Sequence, residues 1–177
     1  MSTELKTCTR CQQTKPIEEY YGAKRSYCIE CERETARERM RKYNATFRGR
    51  AMTAWRDAKK AAAKYGVFDD LTANDVMFVF AISHGECSYC GEVTDDYQLE
   101  HIVPLSKGGK NTLSNVTCVC KTCNRSKFNH DLLTWQDRSD RPDDFEILTT
   151  IERMATRRGV HIEVIFEELK EQAREHK

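Results

Sequence analysis

The hydrophobic positions of this chain follow different rhythms in different stretches, and each rhythm predicts an element. From Glu32 to Lys64 apolar residues are sparse and Ala, Arg, Glu, Met and Lys dominate. All are good helix formers, and the NATF run with Gly49 is expected to split the span into two helices. Gly66 after Tyr65 suits a helix C-cap. In LTANDVMFVFAIS, Thr72 followed by Asp75 resembles a capping box, though that box prefers Glu or Gln. Val76 to Ile82 is apolar on nearly every face and predicts a buried helix, with His84 as a turn residue beyond it. Tyr97 to Val103 predicts a strand ended by Pro104, which cannot donate to a ladder. Ser106 to Asn111 is a turn by composition, Val116 to Val119 the returning strand, and Lys121 to Asn129 the start of a short helix. In the tail, Ile147, Leu148, Ile151, Met154 and Ala155 share one helical face, as do Ile162, Ile165, Phe166 and Leu169, with Gly159 between the two helices. That face predicts packing onto the rest of the chain, with a helical dimer interface as the alternative. The pattern as a whole predicts an α+β fold, mostly helical.

Length and composition narrow the picture. A chain of 177 residues with 39% hydrophobic content and a mean hydropathy of −0.73 is one ordinary domain, or a small one with attachments, and its core is modest. Small modules with modest cores often add a metal as a staple. No apolar run is long enough to span a bilayer, so no membrane partner is expected. The net charge of +1 implies little, but its distribution does. Glu32 to Lys64 carries 11 basic against 4 acidic residues, which favours an arm that tracks phosphates over a plain solvated helix. Arg48 and Arg50 are its candidate DNA contacts. From Asp137 onward 8 basic residues face 11 acidic ones, a balance poorly suited to DNA.

Nine cysteines without a signal-peptide pattern predict a reducing, cytoplasmic setting in which paired cysteines hold metal. Cys87/Cys90 and Cys120/Cys123 have the spacing of a closed, tetrahedral zinc site. Such a site does no chemistry, so the polar residues between its halves are the candidates for that. Cys8/Cys11 and Cys28/Cys31, with 16 residues between the inner pair, predict a second zinc site, a ribbon or knuckle. A redox pair is the alternative, but no βαβ pattern flanks it. Its role is either a structural cap or a DNA-reading module. Cys118, the odd ninth, reads as a buried strand residue.

The stretch from CSYC through LEHIVPLSKGGKNTLSNVTCVCKTCNRSK resembles the HNH nuclease family, in its four-cysteine zinc subtype similar to phage recombination endonuclease VII. The resemblance implies a ββα-metal (His-Me finger) core, two short antiparallel strands and a helix around one divalent ion. It implies that His101 is the general base. Imidazole, with an unperturbed pKa near 6.5, can take a proton from water near neutral pH. A lone His is more often structural, but this one follows an acid, precedes I-x-P and sits between zinc half-sites. Glu100 and Asn124 are the implied ligands of a catalytic Mg²⁺ or Mn²⁺, with a helix N-cap as the bland account of Asn124. Glu100 departs from the commoner Asp or His. Phe128 stands where many members carry a further His, so the site is expected to be poor in protein ligands and open to water. Asn115 is the middle Asn of the motif, whose amide can pin the loop and hold the His101 backbone. Lys107, Lys110, Arg125 and Lys127 are candidate phosphate contacts.

These readings predict a zinc knuckle over residues 1–34, a basic helical arm over 35–66, an HNH nuclease domain over 67–135 and a helical extension over 136–177. The expected function is a metal-dependent DNA endonuclease of phage or mobile-element origin, with two structural zinc ions and one catalytic divalent ion. A homodimer and a phage terminase are partners left open. The alternative is a non-catalytic, zinc-dependent DNA-binding or packaging protein.

Overall fold

The computed structural model describes residues 4–175. It divides within one helix into two compact units, the first ending at Arg50 and the second beginning at Ala51. The fold is α+β and mostly helical, with two small antiparallel sheets and two four-cysteine clusters.

In the first unit β1 (Leu5–Thr7) pairs with β2 (Thr14–Pro16) in the register Leu5↔Pro16. Cys28 occupies the N-cap position of α1 (Ile29–Ala45). Cys8, Tyr20, Cys28 and Cys31 make a core of their own, and Cys31 is the buried residue of α1. So short an apolar set cannot offset the entropy of ordering such a segment without a staple. The expected helix break is present: α1 stops before Thr46 and α2 (Phe47–Tyr65) begins directly after it. Gly49 lies inside the first turn of α2 rather than in the break. A Cβ there would sit 1.9 Å from the Tyr43 carbonyl oxygen, so only glycine allows this tight succession of helices.

The second unit continues α2 and adds α3 (Ala73–Ser83), β3 (Tyr97–His101), β4 (Val116–Cys120), α4 (Lys121–Lys127), α5 (Leu132–Gln136), α6 (Asp144–Arg158) and α7 (Ile162–Glu175). Thr72 and Asp75 form the capping box at the start of α3, with both reciprocal bonds present. The helix itself is less buried than its composition predicts. Val76, Val79 and Phe80 face the core, while Phe78 and Ile82 are about half exposed, at 50% and 47%. Every residue of β4 is buried, and the strand divides two cores. Ala51, Ala58, Leu71 and the inner face of α3 pack against Val116 and Cys118. Val119 and Cys120 instead join Tyr89, Ile102, Trp135 and the apolar faces of α6 and α7.

The tail helices therefore belong to the core that also holds Cys87, Cys120 and Cys123. Ile147, Ile151, Met154, Ala155, Ile165 and Leu169 are buried there, whereas Leu148 is exposed. Polar ties reinforce the docking. Asp143 donates its backbone N–H to the Tyr89 carbonyl at 2.7 Å, Thr150 Oγ1 donates to the Ser88 carbonyl at 2.7 Å, and Arg157 donates to the Leu113 and Val116 carbonyls at 3.0 and 2.9 Å. Among the described residues no helix is long and apolar enough to cross a membrane.

Candidate active site

The site is framed by the second cysteine cluster. Gly91 (φ +69°) closes the CSYC turn, and its N–H donates to the Cys87 carbonyl at 2.9 Å. At the other half Cys120 is the N-cap of α4, its sulfur accepting from the Cys123 N–H at 3.3 Å. The four sulfurs of Cys87, Cys90, Cys120 and Cys123 lie within 4.8 Å of one another, as do those of Cys8, Cys11, Cys28 and Cys31 in the first unit. Each set has the softness and number that zinc takes in a closed tetrahedral site. Arg141 Nη2 lies 3.6–3.9 Å from the sulfurs of Cys120, Cys90 and Cys123 and 3.2 Å from Glu92, placing a cation beside the cluster.

Between the halves, β3 and β4 pair with Glu100 opposite Thr117 and His101 opposite Val116. Asn115 ties down the connecting loop. Its Oδ1 accepts from the Val103 N–H at 2.9 Å, its Nδ2 donates to the Val103 and Lys110 carbonyls at 3.0 and 2.8 Å, and its carbonyl accepts from the Ile102 N–H. The loop folds so closely that a Cβ on Gly109 would lie 2.1 Å from the Val103 carbonyl oxygen.

Helix α4 lies on one face of β3 and reaches it through two rungs. Asn124 Nδ2 donates to Gln98 Oε1 at 2.7 Å, and Lys127 Nζ donates to Glu100 Oε1 at 2.7 Å and to the His101 carbonyl at 3.1 Å. The i,i+3 spacing on the helix matches i,i+2 on the strand. Glu100 and Asn124 thus sit on the same strand–helix seam, but the bond from Asn124 goes to Gln98. Burial pushes the Glu100 carboxyl up against the opposing pull of Lys127.

His101 belongs to a different set of contacts. Its Nε2 lies 2.8 Å from Asn111 Oδ1, and Asn111 Nδ2 donates to Asp69 Oδ1 at 2.9 Å. Burial lowers the His101 pKa, while the bond to Asn111 works in the opposite direction. By composition Asn111 is the end of a turn, and Asp69 belongs to no motif. The wholly buried Asn111 side chain is instead the partner of His101. Asp69 lies 32 residues before His101, and nothing in the spacing points to it.

Three expectations need correction. Lys127 is not available for phosphate contact: its side chain is fully buried and its charge is committed to Glu100. Lys107 is likewise engaged, 2.6 Å from the buried carboxylate of Asp131. The site is also less open to water than the replacement of a ligand His by Phe128 suggests, since Glu100 is only 9% exposed. Phe128 itself is 72% exposed and has φ +49°. Lys110, Arg125 and Arg48 are exposed, and Arg50 is intermediate.

Comparison with known proteins bears on this geometry. Residues 87–133 match the family described as HNH endonuclease. The chain is 33% identical over 89 residues to the CRISPR-associated endonuclease Cas9 of Actinomyces naeslundii, covering 48% of this chain and 8% of that protein. It is 38% identical over 53 residues to the CRISPR-associated endonuclease Cas9 of Corynebacterium diphtheriae, covering 28% of this chain and 5% of that one. The chain thus spans less than a tenth of the length of either relative. The crystal structure of the Type II-C Cas9 enzyme from Actinomyces naeslundii aligns at a TM-score of 0.39 and 26% identity, over 82% of this chain and 14% of that one. Residues 87–133, closed by their own cysteine cluster, carry the match to the HNH endonuclease family.

Proposed function

We propose that this chain hydrolyses phosphodiester bonds within DNA, with His101 as the general base. What supports the reading above all is that His101 ends β3 beside Glu100, inside the HNH match and between the two cysteine pairs. In this reading the ring nitrogen of His101 not bonded to Asn111 takes a proton from water. The water oxygen forms a bond to phosphorus as the bond to the 3′ oxygen breaks, and the leaving oxygen takes a proton from solvent, giving 5′-phosphate and 3′-hydroxyl ends. Asn115 keeps the loop after His101 in place and touches no reacting atom. Zinc is the metal that suits both cysteine sets.

Glu100 and Asn124 are the residues that would hold a catalytic divalent ion. The fit rests on donor chemistry. A carboxylate and an amide oxygen are hard donors suited to Mg²⁺ or Mn²⁺, and Asn124 commits its nitrogen to Gln98, so its oxygen is what it offers a cation. Such an ion, when bound, supplies stabilisation of charge on the phosphoryl and leaving oxygens. Lys110, Arg125, Arg48 and Arg50 are the proposed phosphate contacts.

A rival reading, a non-cleaving DNA-binding protein on the same scaffold, draws on one observation: Lys127 already neutralises Glu100. Incubation of supercoiled plasmid with Mg²⁺ or Mn²⁺ separates the two. Metal-dependent nicking by the native protein, lost in His101→Ala, is the expected result. Intact plasmid, branched and single-stranded DNA with retained gel-shift binding would favour the binder.

A further inference from the structure

We propose that Asp69 is a positioning residue that sets the tautomer of His101 through Asn111, leaving Nδ1 as the basic nitrogen. The inference rests on the nuclease reading of His101 for its catalytic meaning, and on hydrogen-bond polarity alone for its structural content.

The polarity runs in one direction. A carboxylate facing an amide can only accept, so the amide end of Asn111 that meets Asp69 Oδ1 at 2.9 Å must be the nitrogen. The other end, 2.8 Å from His101 Nε2, is then the carbonyl oxygen, which also can only accept. His101 therefore donates, Nε2 carries the proton, and the neutral ring keeps its lone pair on Nδ1. The amide orientation, often a matter of choice, is fixed here by chemistry. Lys59 on α2 completes the chain by pairing with the second oxygen, Asp69 Oδ2, at 2.9 Å.

The backbone holds this array independently of the side chains. The Asn111 N–H donates to the Phe68 carbonyl at 2.8 Å, and the Asn111 carbonyl accepts from the N–H groups of Asp70 and Leu71 at 3.2 and 3.0 Å. Residue 69 is thereby bridged to residue 111, and Asn111 has no exposed surface. A polar side chain this deeply buried must satisfy both ends of its amide, and it can do so in this place with only one orientation.

The arrangement predicts an unusual response to a nearly isosteric change. In Asp69→Asn, Lys59 demands the amide oxygen, which turns the new nitrogen toward Asn111. Asn111 must then present its oxygen to residue 69 and its nitrogen to His101. The ring becomes an acceptor at Nε2, and the proton moves to Nδ1, where the base is needed. The double variant Asp69→Asn with Asn111→Asp restores the polarity. In it the amide nitrogen introduced at position 69 donates to the carboxylate introduced at position 111, and that carboxylate accepts in turn from His101 Nε2–H.

The test is the tautomer of His101 by two-dimensional ¹⁵N NMR of full-length, zinc-loaded protein with labelled histidine, its signals assigned by loss in His101→Ala. DNA cleavage under single-turnover conditions is measured alongside. We expect Nε2–H in the native protein, Nδ1–H with roughly a hundredfold slower cleavage in Asp69→Asn, and recovery of both in the double variant. Nδ1–H in the native protein, or no change of tautomer in Asp69→Asn, would overturn the proposal. So would a tautomer change without a change in rate. A native protein that shows this tautomer pattern yet cuts no DNA would sink the nuclease reading and leave the positioning role standing.

Discussion

A lysine ammonium with no exposed surface is tolerable only beside an opposite charge, and in this chain that charge is Glu100. Lys127→Met leaves a buried carboxylate without its partner. It is expected to destabilise the second unit by roughly 3 kcal/mol, read as a lower urea midpoint at unchanged slope. The same pair decides what Lys127 cannot do. Lys110→Ala and Arg125→Ala should each flatten the dependence of log Kd for duplex DNA on log salt by about 0.9, one phosphate contact apiece. Lys127→Met in its folded fraction should leave that slope alone. A Lys127 effect equal to the other two would contradict its burial. At this scale the two four-cysteine clusters were legible from their spacing, and the place of His101 and Glu100 on a strand between the second cluster's halves from the motif around them. The burial of Lys127 and the role of Asn111 carry no such mark. Both side chains look like surface ones in a polar stretch, and only the folding of α4 and the loop onto β3 buries them.

Elements are where periodicity was most informative. The strand pair, the short helix after Cys120, the α3 capping box and the two tail helices all follow from patterns that local physics fixes. Partial failures have local causes too. The composition of α3 resembles that of a fully buried helix, yet Phe78 and Ile82 stay half exposed because its packing uses one face, on Leu71 and β4. The tail shows what its apolar face covers. Ile151 is wholly buried in the core that also holds Cys87 and Cys123. Ile151→Ala should therefore cost about 2–5 kcal/mol and accelerate the loss of zinc to a chelator, followed with a colorimetric zinc dye. A substitution that lowers stability while leaving zinc release unchanged would separate the tail from the cluster.

For the molecule as a whole, the two cysteine clusters fall in different units, which makes their contributions separable. Metal binding supplies folding free energy where the apolar core is too small, and among the described residues of the first unit only four buried hydrophobic residues make up its core. Cys28→Ser is expected to lower bound zinc from two ions per chain to one and to leave the thermal transition of the second unit in place. Cys123→Ser should instead abolish that transition. Loss of both zinc ions in Cys28→Ser would show the clusters to be interdependent. The sequence proposal of four segments places the basic helices in a separate arm. The contacts group most of α2 with α3 and β4, through Ala51 and Ala58, because small residues on one side of an otherwise charged helix let it pack closely. That grouping is what carries Lys59 to Asp69.

The most direct test of the account is the single-turnover cleavage rate of His101→Ala against the native protein, at matched zinc content and matched DNA affinity. A general base contributes on the order of 10²–10⁴-fold. A loss of that size with unchanged DNA binding is the predicted result. A rate within about threefold of native, well below that contribution, would show that His101 is not the base.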